Sequence, residues 1–178
     1  RISNSYSKSN VTGINNSQDV GGFVGIVYYT DMSNCYATGN VNGHDNVGGL
    51  IGYGTSDQIN NSYVINEVVG TGNYIGGFIG ANSGARFNYV YAANKKLVGQ
   101  GNVGGLIGGP EYSGPPISYS YWDTTISNVF ITAPIGSMVG IEGKTTAEMK
   151  NQSTYVNWDF TNIWTIKTNE YPKLKWQS

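Results

Sequence analysis

Few side chains in this sequence can carry chemistry, and each is judged by what could stand beside it. His44 is the single histidine and sits in the turn Gly43-His44-Asp45-Asn46. Acid–base catalysis or metal ligation needs partners. The equivalent turns, Gly70-Thr71-Gly72-Asn73 and Gly99-Gln100-Gly101-Asn102, supply no second imidazole. Cys35, the single cysteine, falls where sister segments carry Ser5, Ser62, Val90 and Ser120. It reads as a small residue in a repeated column, because a nucleophile would need a placed histidine. Carboxylates are the stronger candidates, since glycoside-cleaving sites use clustered acids. Asp19 and Asp45 fall in equivalent turns, as do Asp31 and Asp57, and Glu67 could join a groove with the first pair. Neither pair keeps register: Asp19 and Asp31 stand one residue before a strand, Asp45 and Asp57 two. All are read as surface turn residues. Gly104-Gly105-x-x-Gly108 has the spacing of a phosphate loop but lacks the Lys-Ser/Thr and the following helix such a loop requires. No catalytic, cofactor-binding or metal-ligating residue is assigned.

A repeat must position these groups. An apolar-Gly-Gly-Phe/Leu-Val/Ile-Gly pattern occupies residues 20–25, 47–52, 75–80 and 103–108, a period of about 28 residues. In phase with it run Ile2-Ser3-Asn4-Ser5-Tyr6, Met32-Ser33-Asn34-Cys35-Tyr36, Ile59-Asn60-Asn61-Ser62-Tyr63, Phe87-Asn88-Tyr89-Val90-Tyr91 and Ile117-Ser118-Tyr119-Ser120-Tyr121. A third, shorter segment follows: Val11 with Gly13, Val41 with Gly43, Val68 with Gly70, Leu97 with Gly99. Length changes fall between these segments, in Asn-, Gly-, Asp- and Ser-rich stretches suited to turns. Three glycines in six residues disfavour a helix and a plain strand alike, so they point to tight corners or close backbone approach. The reading is one coil per repeat with three strand segments, stacked about 4.8 Å apart, so that four to five coils make a rod roughly 20–25 Å long. Equivalent residues then form ladders: Tyr6, Tyr36, Tyr63, Tyr91, Tyr121; Phe23, Leu50, Phe78, Leu106; and the amides Asn4, Asn34, Asn61. Strand alternation would place the Ile, Asn and Tyr positions on one face and the Ser positions on the other.

These residues resemble the GLUG repeat family. Gly49-Leu50-Ile51-Gly52 and Gly105-Leu106-Ile107-Gly108 match its Gly-Leu-x-Gly core; Gly22-Phe23-Val24-Gly25 and Gly77-Phe78-Ile79-Gly80 carry Phe for Leu. Asn34-Cys35-Tyr36-Ala37-Thr38-Gly39-Asn40-Val41 matches its second pattern. The resemblance implies an all-β fold, a right-handed parallel β-helix (solenoid), within a large bacterial secreted or cell-surface protein. It implies no activity and no catalytic residues.

Two regions are expected: repeats over 1–121, and a degenerate last coil with a C-terminal cap over 122–178. Residues 126–130 and 138–143 look like weakened echoes of the repeat. Residues 145–150 read as a short helix, with Thr145 as N-cap and Glu148 closing a capping box. Trp122, Trp158, Trp164 and Trp176 lie here. A solenoid end exposes unpaired strands and must be covered, so a Trp-rich cap is expected, with a carbohydrate-binding aromatic platform as the alternative.

A formal net charge of −1 gives no footprint for nucleic acid or an anionic membrane, and no run reaches the length of a membrane-spanning helix. Arg1 opens directly on a repeat motif, as in a piece of a longer chain. The expected function is a non-catalytic extracellular module of a bacterial surface protein, a stalk or adhesive surface whose partners are a glycan, a host protein or adjoining domains, with no cofactor. The alternative is a carbohydrate-active β-helix enzyme using Asp19, Asp45 or Glu67. Ice binding would need a regular threonine array, and Thr12, Thr38 and Thr71 are out of register.

Overall fold

The computed structural model of the chain describes residues 1–55, 57–109, 118–131 and 140–177. It is a parallel β-solenoid of about 4 turns with about 28 residues per coil. The second coil shows the circuit: strands Asp31–Ser33 and Tyr36–Ala37, then Val41–Gly43, Asp45–Gly48 and Ile51–Thr55. Each pairs in parallel with its counterparts in neighbouring coils, Ile2 with Met32, Ile59 and Phe87 in turn, and Val24 with Ile51, Ile79 and Ile107. Val11, Val41, Val68 and Leu97 align in a further sheet, and Val20, Val47, Ile75 and Val103 in another. The solenoid therefore has four sheets, where the sequence suggested three strand segments per coil. The extra sheet arises because the Gly-Gly core is itself a corner that splits one run into two strands.

Each glycine of that core has its own steric cause. A Cβ at Gly48 would strike the carbonyl of Ile51, three residues on in the same coil. At Gly49 it would strike the carbonyl of Gly77 in the next coil, and at Gly52 the backbone of Asp19 in the previous one. The same three collisions recur for Gly76, Gly77 and Gly80, with Ile79, Gly105 and Asn46 as their partners. The corner carbonyls turn inward, where they need donors. Asn66 Nδ2 donates to Gly49 O at 3.0 Å, Asn94 Nδ2 donates to Gly77 O at 3.0 Å, and Asn94 Nδ2 also reaches Asn66 Oδ1 at 2.8 Å. This buried amide column staples the corner from across the coil.

At the other side of the coil, the third residue of the opening segment adopts a left-handed backbone: Asn4, Asn34, Asn61, Tyr89 and Tyr119 all have φ between 48° and 58°. A left-handed residue breaks strand alternation. The expected shared face is therefore wrong: Met32, Ile59 and Phe87 point inward and are fully buried, as are Cys35, Ser62 and Val90, whereas the tyrosines point outward. Inside, Leu50, Phe78 and Leu106 pack against Met32, Ile59 and Phe87, with Phe23 at the rim. Backbone N–H groups left unpaired by the bend are met by hydroxyls of the next coil, as Cys35 N donates to Ser62 Oγ at 3.1 Å.

After the fourth coil, strand Ser120–Asp123 joins the stack and strand Ile141–Lys144 pairs with it in parallel, so residues 141–143 of the second echo lie in a further strand; Ile117, Met138 and Val139 lie outside the described residues. The echo at 126–130 does not. Asp123 caps a short helix, α1 (Thr124–Ser127), which ends at Asn128 with φ 56°. A second helix, α2 (Thr146–Met149), carries the expected Thr145–Glu148 capping box.

Only one tryptophan covers the core's end: Trp122, whose indole occupies the space left by Gly105 and donates to Val129 O at 2.8 Å. The other three run down the solenoid's flank, against the tyrosine column. The tail is a buttress along the side, not a lid on the end.

Gly49→Ala should lower unfolding free energy by about 1–3 kcal/mol, since the added carbon meets backbone that cannot yield. Gly101→Ala, whose Cβ would chiefly meet the flexible Asn73 side chain, should stay within about 0.5 kcal/mol. Urea unfolding of both variants reads the difference; equal effects would contradict the corner geometry.

Candidate functional site

Most of the groups singled out for chemistry are bound into contacts between coils. His44 Nδ1 lies 2.8 Å from Thr71 Oγ1, its counterpart one coil on, and Nε2 is 3.9 Å from Asp45. Cys35 is buried, and its thiol donates to Ser33 O at 3.3 Å, the bond that Ser5, Ser62 and Ser120 make to the carbonyl two residues back in their own coils. Burial pushes this thiol above its ordinary range, which keeps it protonated and unreactive.

Among the carboxylates, Asp19 accepts from Asn46 Nδ2 at 2.7 Å and Asp45 from the Asn73 amide at 2.7 Å. The register sets Gln18 opposite Asp45, so Asp19 and Asp45 are offset by one residue. Glu67 opens a strand of a different sheet, opposite Lys96. The acids of the enzyme alternative therefore do not converge, and the described residues contain no group of three or more His, Cys, Asp or Glu able to hold a metal ion. Asp57 departs from the expectation. It is 1% exposed rather than on the surface, and its two oxygens accept from the amides of Thr30 at 2.6 Å and Thr55 at 2.8 Å. Burial raises its pKa, with the two amides opposing. It caps the end of two adjacent strands. Gly105, of the loop-like glycines, lies beneath Trp122, with its amide bonded to Ile131 O.

The tyrosine column is the site the sequence marked most clearly, and it is occupied. Tyr6, Tyr36, Tyr63 and Tyr91 stack with ring centroids 5.0–5.1 Å apart and planes within 9°. The tail lies over them, leaving Tyr36, Tyr63, Tyr91 and Tyr121 buried and only Tyr6 open. Three indole N–H groups fasten it to the left-handed column. Trp158 donates to Tyr119 O at 2.9 Å, Trp164 to Asn61 Oδ1 at 3.3 Å, and Trp176 to Asn34 O at 3.1 Å. Tyr91 donates to Pro172 O at 2.7 Å, and Tyr63 meets Gln177 at 2.8 Å. Trp158, Trp164 and Trp176, for which a carbohydrate-binding platform is the alternative reading, face inward and are used in docking.

Asp123 is the polar hub that sequence reasoning missed. Fully buried, it accepts from the amides of Thr125 and Ile126, from Thr146 Oγ1 at 3.0 Å and from Tyr171 OH at 2.7 Å, so it ties the last coil to both halves of the tail. Its place after Trp122 and before Thr124-Thr125 is an N-cap signal. Two adjoining clefts open on the tail's outer side. One, of about 370 Å³, lies between α2 and the turn at 166–169; the other, of about 280 Å³, lies between the tail and Ile65 of the solenoid. Both are lined by Lys150 and Asn169.

Comparison with known proteins adds one match: the family model of the GLUG motif fits residues 16–42. No curated protein and no solved structure gave a match. The matched stretch holds the Gly22-Phe23-Val24-Gly25 corner and the Asn34–Tyr36 bend, and strand register carries both features into the coils that follow. The chain carries the GLUG motif and is a β-solenoid built on it.

Proposed function

We propose that the chain is a non-catalytic, extracellular module of a larger bacterial surface protein, a rigid stalk that also presents an adhesive face. The observation that carries this reading is where the reactive groups are spent. Asp19, Asp45, Asp57 and His44 all hold one coil to the next or close a strand end, and the Cys35 thiol is buried on a carbonyl of its own coil. A module whose acids, imidazole and thiol are used as structural ties is suited to bearing load and to display.

The adhesive face is placed on the sheet that holds strands Val24–Tyr28 and Ile51–Thr55. Ile26, Tyr28 and Tyr29 are exposed there, and Tyr28 meets Tyr53 edge-on at 6.1 Å. Tyr29 is 82% exposed with φ 48°, a conformation costly for a bulky residue. The corner after strand Ile79–Asn82 uses Gly84 at φ 102° instead. A large side chain kept at a position better suited to glycine, and packed on little, fits a role outside the fold. Exposed tyrosines beside hydroxyls and amides suit a glycan or a protein ligand.

Antibody to this segment should label intact, unpermeabilised cells that make the parent protein; labelling only after permeabilisation would contradict the extracellular reading. The purified chain should release no reducing ends from polyuronides, and release abolished by Asp45→Asn would overturn the non-catalytic reading. Tyr29→Gly should leave unfolding free energy unchanged or raise it by about 1 kcal/mol, while weakening capture on a glycan or host-protein array. A destabilised variant with intact capture would place Tyr29 in the fold rather than in binding.

A further inference from the structure

We infer that the paired clefts on the tail bind the carboxylate of an acidic saccharide. The tail concentrates the chain's cations: Lys144, Lys150, Lys167, Lys173 and Lys175 are half of its 10 lysines and arginines. In the larger cleft, Lys150 and Lys167 stand with Asn151, Gln152, Thr168 and Asn169, and no carboxylate is among the lining residues. The smaller cleft adds Glu170, which pairs with Lys173 at 2.7 Å and also feels the charge of Lys167, while no acid lines the larger cleft.

One of these cations is held in place. Lys150 is half-buried, and its Nζ lies 5.3 Å from the centre of the Tyr171 ring. Tyr171 is itself fixed, by its hydroxyl's bond to Asp123 and by stacking on Tyr91 at 6.1 Å. The charge thus sits on a support that runs back to the solenoid core, and little side-chain freedom remains to be lost on binding. Across the cleft, Asn169 adopts φ 63° at the lip of the turn, which closes through Glu170 N donating to Lys167 O at 3.0 Å. Two ammonium groups recognise a carboxylate, while amides and a hydroxyl at the same wall exchange hydrogen bonds with ring hydroxyls. A volume of about 370 Å³ is within the range of small-molecule sites. The larger cleft is lined by tail residues alone, so the site holds or fails independently of the reading of the solenoid as a stalk.

The test is calorimetric titration of the intact chain with a galacturonic acid oligomer, its methyl ester and inorganic phosphate. The expected result is saturable binding of the acid oligomer that weakens with added salt, with the uncharged ester and phosphate each at least about tenfold weaker. Lys167→Gln, on an exposed turn, should weaken binding about tenfold, the loss of one charge-assisted hydrogen bond, with an unchanged melting temperature. Lys150→Gln should act likewise, and Lys96→Gln, on the solenoid, should change nothing. The proposal is overturned by equal binding of the ester, by phosphate binding as tightly as the oligomer, by full affinity in Lys167→Gln, or by no binding at millimolar concentration.

Discussion

The architecture depends on the left-handed residue at one bend of each coil. At Asn4, Asn34, Asn61, Tyr89 and Tyr119 the backbone turns through positive φ, a conformation that costs ordinary L-residues roughly 1–2 kcal/mol and that asparagine tolerates best. That turn sends the residue two before it and the residue after it to the same, inner side. The tyrosine that follows is thereby sent outward. Without it, the tyrosines would compete for a core already filled by Leu50, Phe78 and Leu106.

Once outside, the tyrosines build a second hydrophobic layer. Stacked rings about one strand spacing apart form a smooth apolar strip, which cannot be left to water along its whole length. The tail answers it with Met149, Tyr155, Trp158, Trp164 and Leu174. The left-handed column also supplies the acceptors that the indoles need, because its carbonyls and amides turn out of the regular ladder. Packing and polar satisfaction at this seam thus have one origin. The order of attachment follows the chain: Trp158 at the last coil, Trp164 at the third, Trp176 at the second, with its ring also 6.2 Å from Tyr6 of the first. The tail consequently braces every junction between coils, which is a physical basis for stiffness along the solenoid.

Period and phase were legible in the sequence because stacked coils must repeat what they bury, and the Gly-Gly cores announced a corner because no other residue fits there. What could not be read was direction. Asn at the third position suits a turn, a ladder or a strand, so alternation through Asn61 was a reasonable expectation that one dihedral angle overturns. The destination of Trp158, Trp164 and Trp176 was hidden for a related reason: a cap on the end and a clamp along the side both want aromatic residues. Burial of Asp57 was equally invisible, since a turn aspartate is ordinarily solvated, and only the meeting of two strand ends around it shows why it is inside. The candidate clefts drew no signal from the repeat, because all of their lining but Ile65 lies in the one region that does not repeat.

The central claim is that backbone conformation at the bend sets which side chains face in. Asn61→Gly and Asn61→Val test it together, because both remove the amide that receives Trp164, so the loss of that bond cancels in the difference between them. Glycine adopts positive φ freely, whereas a β-branched residue does so at high cost. Measured by urea unfolding, the valine variant should be less stable than the glycine variant by about 2 kcal/mol. Equal stability, or a more stable valine variant, would mean that the bend is not left-handed and that the account of the tyrosine seam is wrong.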